Sequence, residues 1–441
     1  MALKPSGPTT LTVRPTRVRY RMLGLVLIVT AINYLDRTVL SIAMPSIRTE
    51  FGLTGTEAGL ILSAFSWAYV LCQIPGGWLL DRYGARIVYG ISILSWSIAT
   101  GAMALAGGFA GLFGLRIALG VAEAPSFPAN NKLVTAWFPS SERARATAVY
   151  NSGNFIGLAL FMPVLAWLVA TYTWHVVFLL TGLVGVVISA LWFRFARNKP
   201  ADHPGVNAAE TELTAADAAP QQPRRATWQD LRYLLRKRRM LGMYLAQFCT
   251  NGVMWFFLTW FPTYLVQEKG MSFVKAGFLA SLPYLAALVG VLFSGTLSDW
   301  LLRSGRSRTF ARKLPMMIGF AGSSLIILAN YTDAPGLVIT VMAVAFFAQG
   351  MSAIGWTLAS EVAPVRMMGL SGGVFGFFTN LGGAIVPIVI GIILDATGSF
   401  NGALVFVGAL GALGFLAFLV IIDRVERLDP DRPSTAEPAR S

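Results

Sequence analysis

Twelve apolar runs, each long enough to cross a bilayer as a helix, constrain this chain more than any other feature. About 20 helical residues cross the ~30 Å of bilayer hydrocarbon. The runs lie at 22–45, 58–80, 87–107, 109–133, 146–170, 176–196, 240–266, 273–297, 314–332, 335–359, 369–394 and 401–422. Six precede and six follow one stretch rich in proline, alanine and charge. Lipid offers the backbone no hydrogen bonds, so a spanning segment must satisfy its own peptide groups, as a helix does. An all-α integral membrane protein is expected, with twelve transmembrane helices in two six-helix halves. The expected divisions are an N-terminal segment 1–21, a first bundle 22–196, a central loop 197–239, a second bundle 240–422 and a tail 423–441. Composition agrees. Hydrophobic residues make up 55% of the chain and charged residues 13%, against about 25% charged in soluble proteins. So few charges cannot cover a water-soluble surface.

The net charge of +14 would suit a nucleic-acid partner, but its placement argues against one. Of 35 Lys/Arg, 30 fall in the N-terminal segment, the central loop with its flanks, the tail, and the loops after the second, fourth, eighth and tenth spans. Three, Arg48, Lys269 and Lys275, fall on the opposite side; two, Arg37 and Arg116, fall inside spans. Positively charged loops stay in the cytoplasm, so both termini and the central loop are expected there. The central loop reads as a solvated linker. Its end, 231–240, suits a short basic amphipathic helix on the membrane surface. The two cysteines, Cys72 and Cys249, sit in apolar runs, and the two histidines sit in loops. No metal-ligand spacing, phosphate loop or nucleophile elbow occurs. Neither an enzyme nor a nucleotide-driven pump is expected, and no cofactor or metal.

The halves repeat. GWLLDRYGAR (77–86) follows the second span and GTLSDWLLRSGR (295–306) the eighth; WFPSSERARA (137–146) follows the fourth and EVAPVRMMGLSGG (361–373) the tenth. Parallel six-helix repeats are the architecture of secondary transporters that bind substrate near the midplane, between the halves.

Charges inside spans are costly and mark function by default. Four stand out: Asp36, Arg37, Arg116 and Glu123. Tyr34 and Arg37 are three apart and share a helix face, whereas Asp36 points about 100° away from Arg37. An arginine facing a cavity grips a carboxylate through paired hydrogen bonds, and a free acid beside it can carry a proton. Arg116 and Glu123, seven apart, share a face about 10 Å apart along the axis, too far to pair directly. Neither has an opposite charge one turn away, so both must find partners elsewhere. Glu123 precedes two prolines, Pro125 and Pro128, which loosen the helix beside it. Tyr69 with Gln73, Gln247 with Asn251, then Gln349, Ser352, Trp356, Thr357, Ser360 and Asn380 offer hydroxyls, amides and an aromatic plate for a polyhydroxylated ligand. Each also suits ordinary bonding between membrane helices. Asp81, Arg82 and Arg86, echoed by Asp299, form tight charged turns and read as a gate between helices.

These stretches resemble the major facilitator superfamily, and within it the anion:cation symporter family. The matching segments are NYLDRTVL (33–40), 63–86, AEAPSFPANNKLVTAWFP (122–139), 256–272, HPGVN (203–207) and 397–408. The resemblance covers nearly the whole chain and is closest to bacterial sugar-acid permeases for glucarate, galactarate and galactonate. It implies a bacterial inner-membrane proton symporter importing a small organic anion, with protons and the bilayer as its other partners and no nucleic acid. It assigns proton coupling to Asp36 and Glu123, and substrate contact to Tyr34, Arg37, Tyr69, Arg116, Gln247 and Asn380, with Trp356 and Thr357 nearby. Gln349 stands where several relatives carry a lysine, which favours a monocarboxylate over a dicarboxylate. A hexonate or hexarate is the expected cargo. An aromatic acid, tartrate or another small carboxylate remains open for the same machine. A drug efflux pump would dispense with two intramembrane arginines, and a non-transporting receptor would not need the intramembrane charges.

The charge asymmetry is directly testable. Cysteines placed at Arg225 and Thr309 should react with an impermeant reagent only from the cytoplasmic side; labelling from outside intact cells would overturn the orientation.

Overall fold

The computed structural model describes residues 14–215, 227–364 and 367–428. The far ends of the expected N-terminal segment and tail, the middle of the central loop and residues 365–366 lie outside the described residues.

The first half comprises α1 (Val18–Phe51), α2 (Gly55–Tyr83), α3 (Ala85–Ala102), α4 (Phe109–Glu123), α5 (Ser126–Trp137), α6 (Ser140–Thr171) and α7 (Trp174–Phe195). The second begins after α8 (Ala208–Ala215) and α9 (Trp228–Arg236), with α10 (Arg238–Thr259), the short α11 (Phe261–Thr263), α12 (Phe273–Arg303) and α13 (Arg308–Ser323). It ends with α14 (Pro335–Met351), α15 (Gly355–Val362), α16 (Met368–Thr397) and α17 (Asn401–Leu416). Among the described residues, ten of the expected spans are helices long and apolar enough to cross a membrane. The other two are explained by their residues. The fourth is split into α4 and α5 at Ala124–Pro125, beside Glu123. The seventh carries Arg238, Arg239, Gln247 and Asn251 in α10 and is completed by α11 and a π turn over Tyr264–Glu268. The twelve-helix fold in two halves stands.

Local chemistry sets the helix ends. Gly52, at φ 63°, stops α1 in the left-handed region that only glycine adopts without cost. Thr54 and Glu57 then form a capping box that starts α2. Gly84, at φ 82°, makes the sharp turn from α2 to α3.

The central loop is more ordered than a solvated linker. Glu210 of α8 is fully buried and accepts hydrogen bonds from the Val18 and Arg19 backbone amides, the Arg19 guanidinium and the Thr16 hydroxyl. A carboxylate there satisfies amides at the start of α1 and complements the positive end of its dipole. Asn207 assists, accepting from Thr16 and donating to the Arg14 carbonyl. Apolar content alone missed this because α8 docks through polar groups. The amphipathic helix expected over 231–240 forms as α9, capped by Thr227 and Asp230, and yields to α10 at Lys237.

Across the halves, α2 packs on α16 and α6 on α12. The approach is close enough to require glycine. A Cβ at Gly59 would stand 2.5 Å from the Pro387 carbonyl, and one at Gly391 would stand 2.2 Å from that of Gly55. At the same end Ser41 donates to the Thr259 carbonyl and Arg48 to Gln267. Among the described residues, the hydrogen bonds, ring contacts and glycine approaches that join the halves lie at the α1–α2 end or near mid-helix. The charged groups of the α2–α3 end pair within their own halves. Among the described residues, the bonds that join the halves therefore gather toward the α1–α2 end, which they seal. Outward faces of α7 and α12 expose Leu183, Val187, Phe278 and Leu292, an apolar band suited to lipid.

Gly290 on α12 illustrates the packing within a half. An added Cβ would lie 2.0 Å from the Phe347 carbonyl on α14. Gly290→Ala should destabilise the purified protein by about 1–3 kcal/mol, seen as a lowered thermal midpoint. Gly24→Ala, with open space around it, should not lower it.

Candidate functional site

Arg37 and Glu123 define the site. Arg37 lies mid-way along α1. Glu123 is the last residue of α4, exposed to its neighbours by the break at Pro125, where the Ser126 hydroxyl takes up the Glu123 carbonyl. Nε and Nη2 of Arg37 both donate to Oε2 of Glu123, at 3.1 and 2.9 Å. Both side chains are buried. This is the partner that Glu123 was expected to find outside its own helix. Its own helix supplies none, and α1 does.

The other pair of charges is unmatched. Arg116 is 1% exposed, and its Nε and Nη1 close no hydrogen bond. Asp36 is equally buried, and neither carboxylate oxygen closes one. Glu123, Thr100, Arg116 and Trp96 are its electrostatic neighbours. The Thr100 hydroxyl, the Trp96 indole N–H, Oε1 of Glu123, both amide atoms of Asn33, Oγ of Ser66, the Tyr89 hydroxyl and Oδ1 of Asn130 close no hydrogen bond of full geometry, although Thr100 and Trp96 lie against Asp36, Asn33 against Glu123 and Asn130 against Tyr89. Buried polar groups are nearly always hydrogen-bonded. So many incompletely bonded groups around two buried arginines suit water or a polar ligand.

Aromatic rings hold the guanidinium groups in place. Arg37 stands 4.5 Å from the Phe65 ring centroid, 4.9 Å from Tyr34 and 5.3 Å from Tyr69; Arg116 stands 5.2 Å from the same Phe65 ring. A ring face attracts cations, so Phe65 serves as a shared neutral spacer between two like charges. Tyr34, Asp36, Arg37, Tyr69, Arg116 and Glu123 are thus brought together as expected. Phe65, Asn33, Trp96 and Thr100 were missed. Phenylalanine in an apolar helix carries no polar signal, and the others become notable only through their neighbours.

The residues expected from the second half do not join this cluster. Gln247 is buried on α10 and faces Gly355 of α15. Asn380 donates back to the Gly376 carbonyl of its own helix. Trp356 packs edge-on against Phe375 but is 51% exposed, and Thr357 beside it is exposed. Gln349 donates to the Thr250 carbonyl and ties α14 to α10. Trp255 of α10 is the bridge, 6.3 Å from Phe65.

The turn residues pair within halves. Asp81 binds Lys132 of α5 at 2.8 Å, Arg82 lies over Trp78 and Tyr83, and Arg86 donates to the Phe193 carbonyl. Asp299 faces Arg312 at 3.7 Å, and Arg312 also binds Glu361 at 2.9 Å. No cluster of metal-ligand type occurs among the described residues.

A family model described as the Major Facilitator Superfamily matches residues 26–387. A protein named as a probable galactarate/D-glucarate transporter, from Bacillus subtilis (strain 168), is 43% identical over 410 residues, covering 90% of each chain. A D-galactonate transporter from Escherichia coli O6:H1 is 45% identical over 406 residues, covering 90% of this chain and 94% of that one. Among solved structures, a bacterial homolog of the human lysosomal transporter Spinster, inward-facing and unoccupied, superposes with a TM-score of 0.76 at 18% identity. It covers 94% of this chain and 99% of that one.

Proposed function

This chain belongs to the major facilitator superfamily, and from that premise we propose that it imports a sugar acid, a hexonate or hexarate, by proton symport. One observation carries the reading: a fully buried, unpaired Arg116 stands beside an unpaired Asp36, while Arg37 is held by Glu123. A buried guanidinium whose donors close no hydrogen bond is costly even with acids nearby. An incoming carboxylate removes that cost through bidentate bonding. A cationic drug would add to it.

The pair supplies the coupling. Ionised Glu123 acts as an internal anion that occupies Arg37. Protonation of Glu123 ends the ion pair and releases Arg37 toward the substrate carboxylate. Loss of the proton restores the pair and expels the substrate. Proton and anion therefore favour the same state, which is the differential affinity that a coupled conformational change requires. Asp36, near Arg116, is the second acid able to exchange a proton. Hydroxyls of the substrate would meet Tyr34, Tyr69, Gln247 and Asn380 when the halves close, with Trp356 and Thr357 brought inward. Gln349 in place of a cation leaves two arginines for the anion and favours a single carboxylate.

On the charge asymmetry, both termini and the central segment 197–239 face the cytoplasm, and the bundles 22–196 and 240–422 lie in the bacterial inner membrane. The end opposite the seal then faces the cytoplasm, with Asp81, Arg82, Arg86 and Asp299 as its gating groups. Bilayer, protons and a small organic anion are the partners.

Proteoliposomes loaded against a pH gradient test the reading across hexonates, hexarates, tartrate and aromatic acids. A sugar acid should accumulate best; preference for another carboxylate would overturn the assignment. Arg116→Ala should reduce uptake and counterflow at least tenfold, as expected for loss of about 1.5–3 kcal/mol of charged hydrogen bonding. Glu123→Gln should still exchange labelled substrate at equal concentrations but fail to accumulate it when pH alone drives uptake. Wild-type accumulation by Glu123→Gln would remove that acid from the coupling.

A further inference from the structure

At the sealed end, one acid reaches from the second half onto a helix start in the first. The Asp395 carboxylate, near the end of α16, accepts from the backbone amides of Gly55 and Thr56 and from the Thr56 hydroxyl, at 2.5–2.7 Å. Gly55 and Thr56 open α2. The capping box of α2 satisfies the Glu57 amide through Thr54, so Asp395 supplies what the helix's own sequence leaves out. The first amides of a helix have no internal partner, and the positive end of its dipole favours an anion. Arg48 of α1 adds a cation nearby. The contact depends on the close approach of the two helices. A Cβ at Gly55 would meet the Asp395 carboxylate at 2.7 Å, and one at Gly391 the Gly55 carbonyl at 2.2 Å.

Alternating access requires this end to part. Opening it pulls α16 from α2 and returns three donors and a carboxylate to water. We infer that Asp395 is a latch that sets the balance between the conformer sealed at this end and the conformer open there, and hence positions the substrate site toward one side of the membrane. The acid at the other end of α2, Asp81, is held by Lys132 within its own half. Asp395 is thus the acid of the pair that is engaged across the halves. The inference reaches beyond the identity of the cargo, since the latch acts on an empty transporter.

The test needs no substrate, so a wrong cargo would leave it intact. Ser41 is fully buried in the seal, its hydroxyl on the Thr259 carbonyl. Ser41→Cys, in purified protein with Cys72→Ala and Cys249→Ala, reports opening through its rate of alkylation by a soluble maleimide. Adding Asp395→Ala should raise that rate by a factor of about 2–30, the range that loss of a helix N-terminal acceptor produces. Asp395→Asn keeps one acceptor oxygen and should fall between. A control cysteine at Ser323, buried inside the second half, should stay protected in every variant, which separates unlatching from general loosening. Wild-type labelling of Ser41→Cys in a folded Asp395→Ala protein overturns the latch, as does equal deprotection of Ser323→Cys. If Asp395→Ala does not purify folded, Asp395→Asn and Thr56→Val decide: faster labelling in both supports the latch, and unchanged labelling in either overturns it.

Discussion

The ion pair between Arg37 and Glu123 is the interaction on which the rest of this site depends. Two ions taken out of water lose hydration worth several kcal/mol each, and only close, well-aligned contact recovers it. Here the contact is close, yet Oε1 of Glu123 remains without a partner. The pair is therefore stable enough to exist and incomplete enough to give way. Removing the charge of Glu123 leaves Arg37 with three aromatic rings around it and no bonded acid. Those rings soften the position of a lone cation without supplying an anion.

The unequal fates of the two arginines follow from their helices. Arg37 points from α1 toward the broken end of α4, where an acid is available. Arg116 lies two turns earlier on α4, beyond direct reach of Glu123, and Phe65 stands between it and Arg37. One cation is hydrogen-bonded to an acid, and the other has acids nearby without a bond to either at its Nε or Nη1. A site with both cations neutralised would bind an anion weakly. A site with neither neutralised would carry a heavy electrostatic cost when empty.

The scaffold supplies two rigid halves and one adjustable junction. Within halves, glycines bring backbones into contact, as at Gly290 against Phe347. Between halves, contacts concentrate at the α1–α2 end, and the opposite end keeps its ion pairs to itself. Such a division lets the halves rock as bodies about a central site. The clamp of α8 on α1 through Glu210 extends the first half into the central segment.

Much of this was legible in the sequence because lipid is a severe solvent. Hydrocarbon admits only long apolar helices, so twelve runs specify twelve spans; it taxes every buried charge, so Asp36, Arg37, Arg116 and Glu123 announce themselves. Pro125 foretells the break in α4. What sequence spacing cannot carry is which group on one helix meets which on another. The partner of Glu123 is on α1, 86 residues away, and the partners of Asp395 are 339 and 340 residues away. Phe65 matters through its position between two guanidinium groups and not through its chemistry. Trp356, Thr357 and Asn380 have suitable side chains yet join none of the contacts around the charges, because their packing and bonds lie within the second half. Helices and isolated charges are local consequences of side chains meeting lipid. Ion pairs, ring contacts and the sealed end arise from the mutual placement of helices, which packing decides.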